Sequence, residues 1–404
     1  MRNIMVAQSG GPTAVINSSL AGVIEGAKAY FPGATVYGAL NGIEGVIKGK
    51  IVSLSEQVDS EEKIKLLRQT PAMALGSCRF KMPADLTDGV YKKIEETFKK
   101  YGIGVFAYIG GNDSMDTVMR LSKYFKSKDI KIVGIPKTID NDLCCTDHTP
   151  GYGSAAKYIA ATMSEIASDC YIYYLEAVTI VEIMGRNAGF LTMAAAIPKF
   201  LGEYAPHLVY LPERLTSTEK IVNDIKAELK QSEAVIVAIS EGVKTENGEY
   251  LSASMPDAFG HRQLSGAAKV MERIVKTEIG CKVRSIELNT PQRAAAHIAS
   301  RTDVLEAFEL GKRALKAAHD GETGVVSVLK RAEDGDYSAE YNTAAVSEIA
   351  NLERKVPDEF INEEGNFITE AAYKYMAPLI AGEVETVYKN GIPAKFKIDD
   401  KKLV

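Results

Sequence analysis

The sequence predicts an α/β protein in which mostly parallel strands, covered by helices on both faces, are shared between two domains. Three observations predict it. At 404 residues the chain has the length of two or three compact units of roughly 150 residues each. Short β-branched runs alternate with amphipathic stretches, the pattern of parallel strands buried on both sides. Nine such runs are more than the roughly 5–6 strands of an average sheet.

The elements follow in order. Residues 3–7 carry the run Ile4-Met5-Val6 and lead into a glycine turn and a helix that starts near Asn17. A strand at 35–39 and helices at 59–68 and 87–101 come next. Residues 104–109 and 131–135 are apolar and strand-length, with a helix at 114–125 between them. Residues 136–153 are irregular and rich in Asp, Thr, Pro and Gly. Loops longer than about 12–15 residues are functional or disordered as a rule, and this one leaves the carboxyl end of a strand, where open α/β sheets place their ligands. A helix at 154–168, strands at 178–183 and 208–211, a helix at 218–230, strands at 234–239 and 282–287, a helix at 292–319 and a strand at 324–329 complete the series. Residues 395–404 are charged and read as a frayed, peripheral tail.

Composition removes several function classes. Lys plus Arg is 48 and Asp plus Glu is 53, a formal charge of -5, so the basic excess of a general nucleic-acid binder is missing. No apolar run is long enough to span a bilayer. The first residues enter a strand without a basic, apolar and small-residue leader, and the five cysteines have neither zinc spacing nor a disulfide framework. A cytoplasmic, reduced protein with no membrane and no nucleic-acid partner is expected.

The chemistry sits at strand ends. Gly10-Gly11 and Gly110-Gly111 each stand between a strand and a helix, where paired glycines let backbone N–H groups approach an anion. Neither turn has the third glycine of a dinucleotide fingerprint or the Lys of a P-loop. Asp113 reads either as a helix N-cap or as a carboxylate facing the phosphate site. Lys137 precedes Asp140 and Asp142 by three and five residues. Phosphoryl transfer to an alcohol needs a base, a cation at the transferring group and a divalent metal. Asp140 suits the base, Asp142 orientation or metal, Lys137 the phosphoryl oxygens. Arg186, at a presumed helix start, opposes the dipole and so is expected to face an anion. Glu241, at another carboxyl edge, suits sugar hydroxyls; Arg79, Arg284 and Arg293 are further forks for phosphate.

Gly10-Gly11 with Asn17, Gly110-Gly111 with Ser114, Thr138-Ile139-Asp140-Asn141-Asp142, Met184-Gly185-Arg186 and Gln292-Arg293 resemble, in order and approximate spacing, the phosphofructokinase family over roughly residues 1–345. The resemblance implies two Rossmann-like three-layer α/β domains with the active site in the cleft between them. Residues 1–150 plus about 292–345 would form the larger, donor-binding unit, and about 151–291 plus 346–404 the smaller, sugar-phosphate unit. It implies phosphorylation of fructose 6-phosphate at its 1-hydroxyl, Mg²⁺ as cofactor, a place in glycolysis and gluconeogenesis, and a homodimer or homotetramer. By the same resemblance Asp140 is the base; Gly11, Arg79 and Lys137 hold the donor; Thr138, Met184, Gly185, Arg186 and Glu241 hold the sugar phosphate. Arg293 and Thr290 lie near its phosphate end, and Arg284 reaches across from a neighbouring subunit.

Donor identity rests on two positions. Asp113 and Lys137 resemble the pyrophosphate-dependent branch, whereas ATP users carry Gly at both. A carboxylate at Asp113 repels an ATP α-phosphate that pyrophosphate does not have. Asn112 stands where the family has a magnesium-linked Asp, leaving Asn112 and Asp142 as metal candidates. Ala177 and Thr290 replace acceptor-side residues of the family, so sedoheptulose 7-phosphate is expected as a second acceptor. An ATP-dependent enzyme and a catalytically silent regulatory relative are the alternatives; intact Asp140, Asp142, Lys137, Arg186 and Glu241 argue against the latter.

Overall fold

The structure is a computed structural model and describes residues 2–172, 175–254, 266–332 and 336–404. Its larger sheet has seven strands: β1 (Asn3–Gln8), β2 (Val36–Ala39), β3 (Ile51–Ser53), β4 (Ile103–Gly110), β5 (Lys131–Pro136), and later in the chain β10 (Val325–Arg331) and β11 (Ala339–Ala345). Their order is β11-β10-β5-β4-β1-β2-β3, parallel except for the antiparallel outer strands β3 and β11. The second sheet is wholly parallel, in the order β7-β8-β6-β9, from β6 (Ala177–Ile183), β7 (Leu208–Tyr210), β8 (Ala234–Ser240) and β9 (Lys282–Glu287).

Alternation of side chains splits each sheet between two cores. Ile4 and Val6 of β1 face the helices Ile16–Tyr30 and Arg301–His319, while Met5 and Ala7 face the helices Gly89–Lys100 and Asn112–Tyr124. Val181 and Ile183 pack with Tyr152, Ile159 and Met163 of the helix Tyr152–Cys170; Val178 and Ile180 pack with Ile225 and Met271. Double coverage is the reason β4 is buried at every residue and legible as an unbroken apolar run.

All nine expected strands are present. The two in the larger sheet that the sequence reading lacks are its outer antiparallel strands. β11 alternates half-buried and exposed residues and carries Glu340, the polar signature of an edge. The helix expected over 292–319 is divided. A short turn Pro291–Ala294 and a 3-10 turn Ala296–Ile298 come first. Ser300 then caps Arg301–His319 by accepting the Asp303 N–H. Asp303 in turn accepts from Gly151 and Ser154 N–H at 2.9 and 2.8 Å, tying this helix start to the start of Tyr152–Cys170.

Residues 395–404 are not frayed. Phe396 and Ile398 pack in the core of the larger sheet, and Val404 N–H donates to Ile51 O at 2.9 Å beside β3. Residues 356–379 contribute instead to the core of the second sheet.

The helices Ile16–Tyr30 and Arg301–His319 touch through glycine. A Cβ on Gly22 would lie 2.0 Å from Phe308 O, and one on Gly311 2.3 Å from Ser19 O. Both contacts are with backbone, which has nowhere to move. Gly22→Ala is expected to destabilise the protein by about 2–3 kcal/mol through overpacking, despite the gain in helix propensity. Urea unfolding followed by circular dichroism checks this; an unchanged midpoint would show that the helices separate freely.

Candidate active site

Carboxyl ends of β1, β4, β5, β6, β8 and the segment after β9 carry the expected residues. The turn after β1 is organised by two buried amides. Gln8 Nε2 donates to Asn17 Oδ1 at 3.0 Å, and Gln8 Oε1 accepts from Leu75 N–H at 3.0 Å. Asn17 Nδ2 donates to Thr70 O and Ala72 O. Asn17 therefore anchors the 70–75 segment rather than meeting an anion. Ser77 Oγ continues this mooring by donating to Gly10 O at 2.8 Å, and Arg79 follows, exposed.

The two glycine turns converge on one ammonium. A Cβ on Gly10, whose φ is +83°, would sit 3.0 Å from Lys137 Nζ. One on Gly111 would sit 3.3 Å from Lys137 O and 3.9 Å from its Nζ. Lys137 is 3% exposed, and no carboxylate among the described residues lies within ion-pair distance of it. Burial pulls its pKa down to about 8, against the attraction of Asp140 and Asp142. Arg293 completes the cationic group: its Nη1 would be 3.8 Å from a Cβ on Gly11, and its buried Nε has no hydrogen-bond partner among the described residues. Its guanidinium thus reaches the donor-side turn, whereas the sequence reading set it at the sugar's phosphate end.

Opposite stand the carboxylates. Thr138 Oγ1 donates to Asp140 Oδ2 at 3.2 Å and accepts the Asp140 N–H at 3.1 Å, fixing the side chain. Burial raises the Asp140 pKa, with the Thr138 hydroxyl, Lys137 and Arg293 working the other way. Asp142 is pushed up to about 6, first by burial and then by Asp140. Asn141 between them adopts φ +58°; its Oδ1 accepts from Thr149 N–H and its Nδ2 donates to Tyr375 Oη at 2.7 Å.

The residues expected to meet the sugar phosphate are gathered around Gly185. Its φ of +134° and the 2.6 Å from a would-be Cβ to Ala188 O demand glycine. Gly185 N–H donates to Glu241 Oε1 and Met184 N–H to Gln292 Oε1, both at 3.2 Å. Burial raises the Glu241 pKa while the Gly185 N–H opposes it.

Several expectations change. Asp113 is not a helix cap: Gly111 holds that place and Asp113 is exposed in the first turn. Arg186 is exposed in the loop before a helix that starts only at Phe190, so the dipole argument for it fails. Asn112 is committed elsewhere: its Nδ2 donates to Leu352 O at 2.8 Å and its Oδ1 accepts from Asn351 N–H. Arg284 lies within edge strand β9, paired with Asp169 at 3.3 Å and away from the group above. Thr290 is exposed at the turn leading to Arg293.

Arg354 was missed. It donates to the carbonyls of Asn141, Thr146 and Asp147 beneath the Asp140 loop. It stands in an irregular stretch without a motif, so the sequence offered no signal. Among the described residues no cluster of three His, Cys, Asp or Glu is shaped to hold a metal, the five cysteines are unpaired, and no helix is long and apolar enough to cross a membrane.

A family model described as phosphofructokinase matches residues 3–318. The chain is 38% identical to the pyrophosphate–fructose 6-phosphate 1-phosphotransferase of Halomonas elongata, across 98% of this chain and 96% of that protein. It is 37% identical to the protein of the same name from Methylococcus capsulatus, across 97% and 94%. The solved structure of a pyrophosphate-dependent phosphofructokinase from Marinobacter aquaeolei superposes with a TM-score of 0.88 at 34% identity, covering 100% of this chain and 97% of that one.

Proposed function

The chain belongs to the phosphofructokinase family, and we infer that it transfers a phosphoryl group from pyrophosphate to the 1-hydroxyl of fructose 6-phosphate. The observation that carries this reading is the buried Lys137 ammonium, set between two glycine turns with no ion-pair partner among the described residues and with Arg293 beside it. Such a cradle takes a compact polyanion and leaves little room for more.

In the forward step the sugar O1 attacks the terminal phosphorus of pyrophosphate. The O1–P bond forms, the bridging P–O bond breaks, and orthophosphate leaves with the bond's electron pair. Asp140 accepts the hydroxyl proton; Lys137, Arg293 and Arg79 offset charge on the transferring group. The backbone of Met184 and Gly185, with Arg186 and Glu241, orients the sugar. The anhydride's modest drive makes the reaction run both ways, in glycolysis and in gluconeogenesis.

Magnesium belongs to the proposal. Mg²⁺ is held as a rule by one or two carboxylates plus substrate phosphate oxygens rather than by a protein cage. Asp142 fits that use: its carboxylate accepts from its own backbone N–H, no cation pairs with it among the described residues, and a metal ion there would relieve its repulsion with Asp140. When bound there the ion would neutralise charge on the transferring phosphoryl group. Asn112, with its amide committed, does not fit.

A homo-oligomer is also proposed. Arg284 on the open edge of the second sheet, beside exposed Leu175, supports a contact there with a second copy. Its placement in the cytoplasm rests on the family and on the unpaired cysteines.

The test is a donor-by-acceptor matrix: pyrophosphate or ATP against fructose 6-phosphate or sedoheptulose 7-phosphate, with Mg²⁺, measured in both directions. Turnover with pyrophosphate and fructose 6-phosphate is expected. Turnover with ATP alone would reject the donor assignment.

A further inference from the structure

One four-residue segment, 351–354, crosses the site and touches three of its elements. At its start, Asn351 and Leu352 hold the Asn112 amide, and Asn351 Nδ2 donates to Asp116 Oδ1 at 3.1 Å, both on the helix Asn112–Tyr124 of the donor side. Next, Glu353 accepts from Asn187 Nδ2 at 3.2 Å, on the acceptor loop behind Gly185. At its end, Arg354 N–H donates to Asp142 O at 2.7 Å.

The Arg354 guanidinium spends its donors on the base loop. Nε and Nη2 donate to Asn141 O at 3.3 and 2.9 Å, and Nη1 to Thr146 O and Asp147 O at 3.1 and 2.7 Å. The guanidinium carbon sits over the Phe190 ring, 4.8 Å from its centroid. Tyr375 Oη locks the same loop by donating to Asp147 O at 2.8 Å and accepting from Asn141. Asn141 is the left-handed residue between the two carboxylates. Rotating its peptide would swing Asp140 and Asp142 together, and that rotation is what the fork blocks.

We propose that segment 351–354 is a strap that positions Asp140, with Arg354 its positioning residue and Asn112 its anchor. The proposal rests on the phosphoryl-transfer reading above and adds to it. It also gives Asn112 a reason: an amide donates to Leu352 O and accepts from Asn351 N–H at once, whereas a carboxylate would set its charge against that carbonyl.

Full-length variants test it by steady-state kinetics with pyrophosphate, fructose 6-phosphate and Mg²⁺. Arg354→Ala is expected to lower kcat about 10²-fold while the KM of each substrate moves less than about threefold, since the base and not the binding groups is displaced. Millimolar guanidinium ion is expected to restore part of that kcat and to leave Asp140→Asn unchanged. Arg354→Lys is expected to fall nearly as far, because one ammonium cannot span three carbonyls. Asn112→Asp is expected to lower kcat with the half-saturating Mg²⁺ unaltered, and this variant carries the test if Arg354→Ala does not fold.

Two results would overturn the strap: an Arg354→Ala enzyme that keeps kcat within about twofold, or an Asn112→Asp enzyme that keeps kcat and needs less Mg²⁺. Absence of turnover in the unaltered protein would instead strike the phosphotransferase reading, because the strap is judged on ratios to that protein.

Discussion

Asp140→Asn lowers kcat by about 10³-fold, within the 10²–10⁴-fold that a positioned general base contributes, and leaves the KM for fructose 6-phosphate close to its starting value. The geometry sets both halves of this expectation. The Thr138 hydroxyl holds the Asp140 carboxylate in one orientation, and an amide keeps that shape while losing the capacity to take a proton. The groups proposed to hold the sugar, Met184, Gly185 and Glu241, are bonded to one another and to Gln292 rather than to Asp140. Steady-state rates with both substrates varied check it. A loss smaller than about tenfold would move the base elsewhere, with Asp142 the next carboxylate to try.

Lys137→Met removes most turnover with pyrophosphate, by about 10²–10³-fold, and at the same time raises the thermal midpoint. The second effect follows from sign. The folded-state pKa of Lys137 is pulled down to about 8, below its usual 10.5, even with Asp140 and Asp142 attracting it. Between these values the unfolded chain holds a proton that the folded chain has released, so stability rises with pH across that window. Below about pH 8 both states hold the proton and the destabilisation is complete, on the order of 3 kcal/mol. Methionine fills the space without the charge, so the midpoint at neutral pH goes up and its rise between pH 8 and 10.5 flattens. Calorimetry across that range, beside an activity assay, separates the two effects. A lower midpoint for Lys137→Met would mean that the ammonium stabilises its surroundings. In the unaltered enzyme kcat/KM for pyrophosphate should fall above about pH 8, while the limb in kcat lies higher because the bound anion favours the cation.

What could be read from the sequence was what local pattern encodes. The edge strand Lys282–Glu287 is exposed or half-buried at every residue, but most of the nine expected strands announce themselves because parallel strands covered on both faces are apolar throughout, as at Ile103–Gly110. The outer strands Ile51–Ser53 and Ala339–Ala345 do not, one being too short and the other half wet. The division of 292–319 was visible in principle, since Ser300 and Asp303 have cap spacing, but alanine-rich residues on both sides masked it. In the site, both glycine turns, Lys137 and the two carboxylates were legible because each lies at or just after the carboxyl end of a strand. Arg354 and the Gln8–Asn17 amide pair were not, since their partners lie far away in sequence. The hydrogen bonds of the Asn112 amide were hidden for the same reason: Asn351 and Leu352, which make them, lie more than two hundred residues later.

The position of β10 between β11 and β5 bears on how the protein is made. A ribosome delivers β5 long before β10, so the nascent chain waits with an open parallel edge that a chaperone or another chain is free to meet. The same order of synthesis delivers the glycine turns and Lys137 before Arg293 and Arg354. A polypeptide cut short between them carries the glycine turns and the lysine but neither guanidinium, so the cationic group around Lys137 is incomplete.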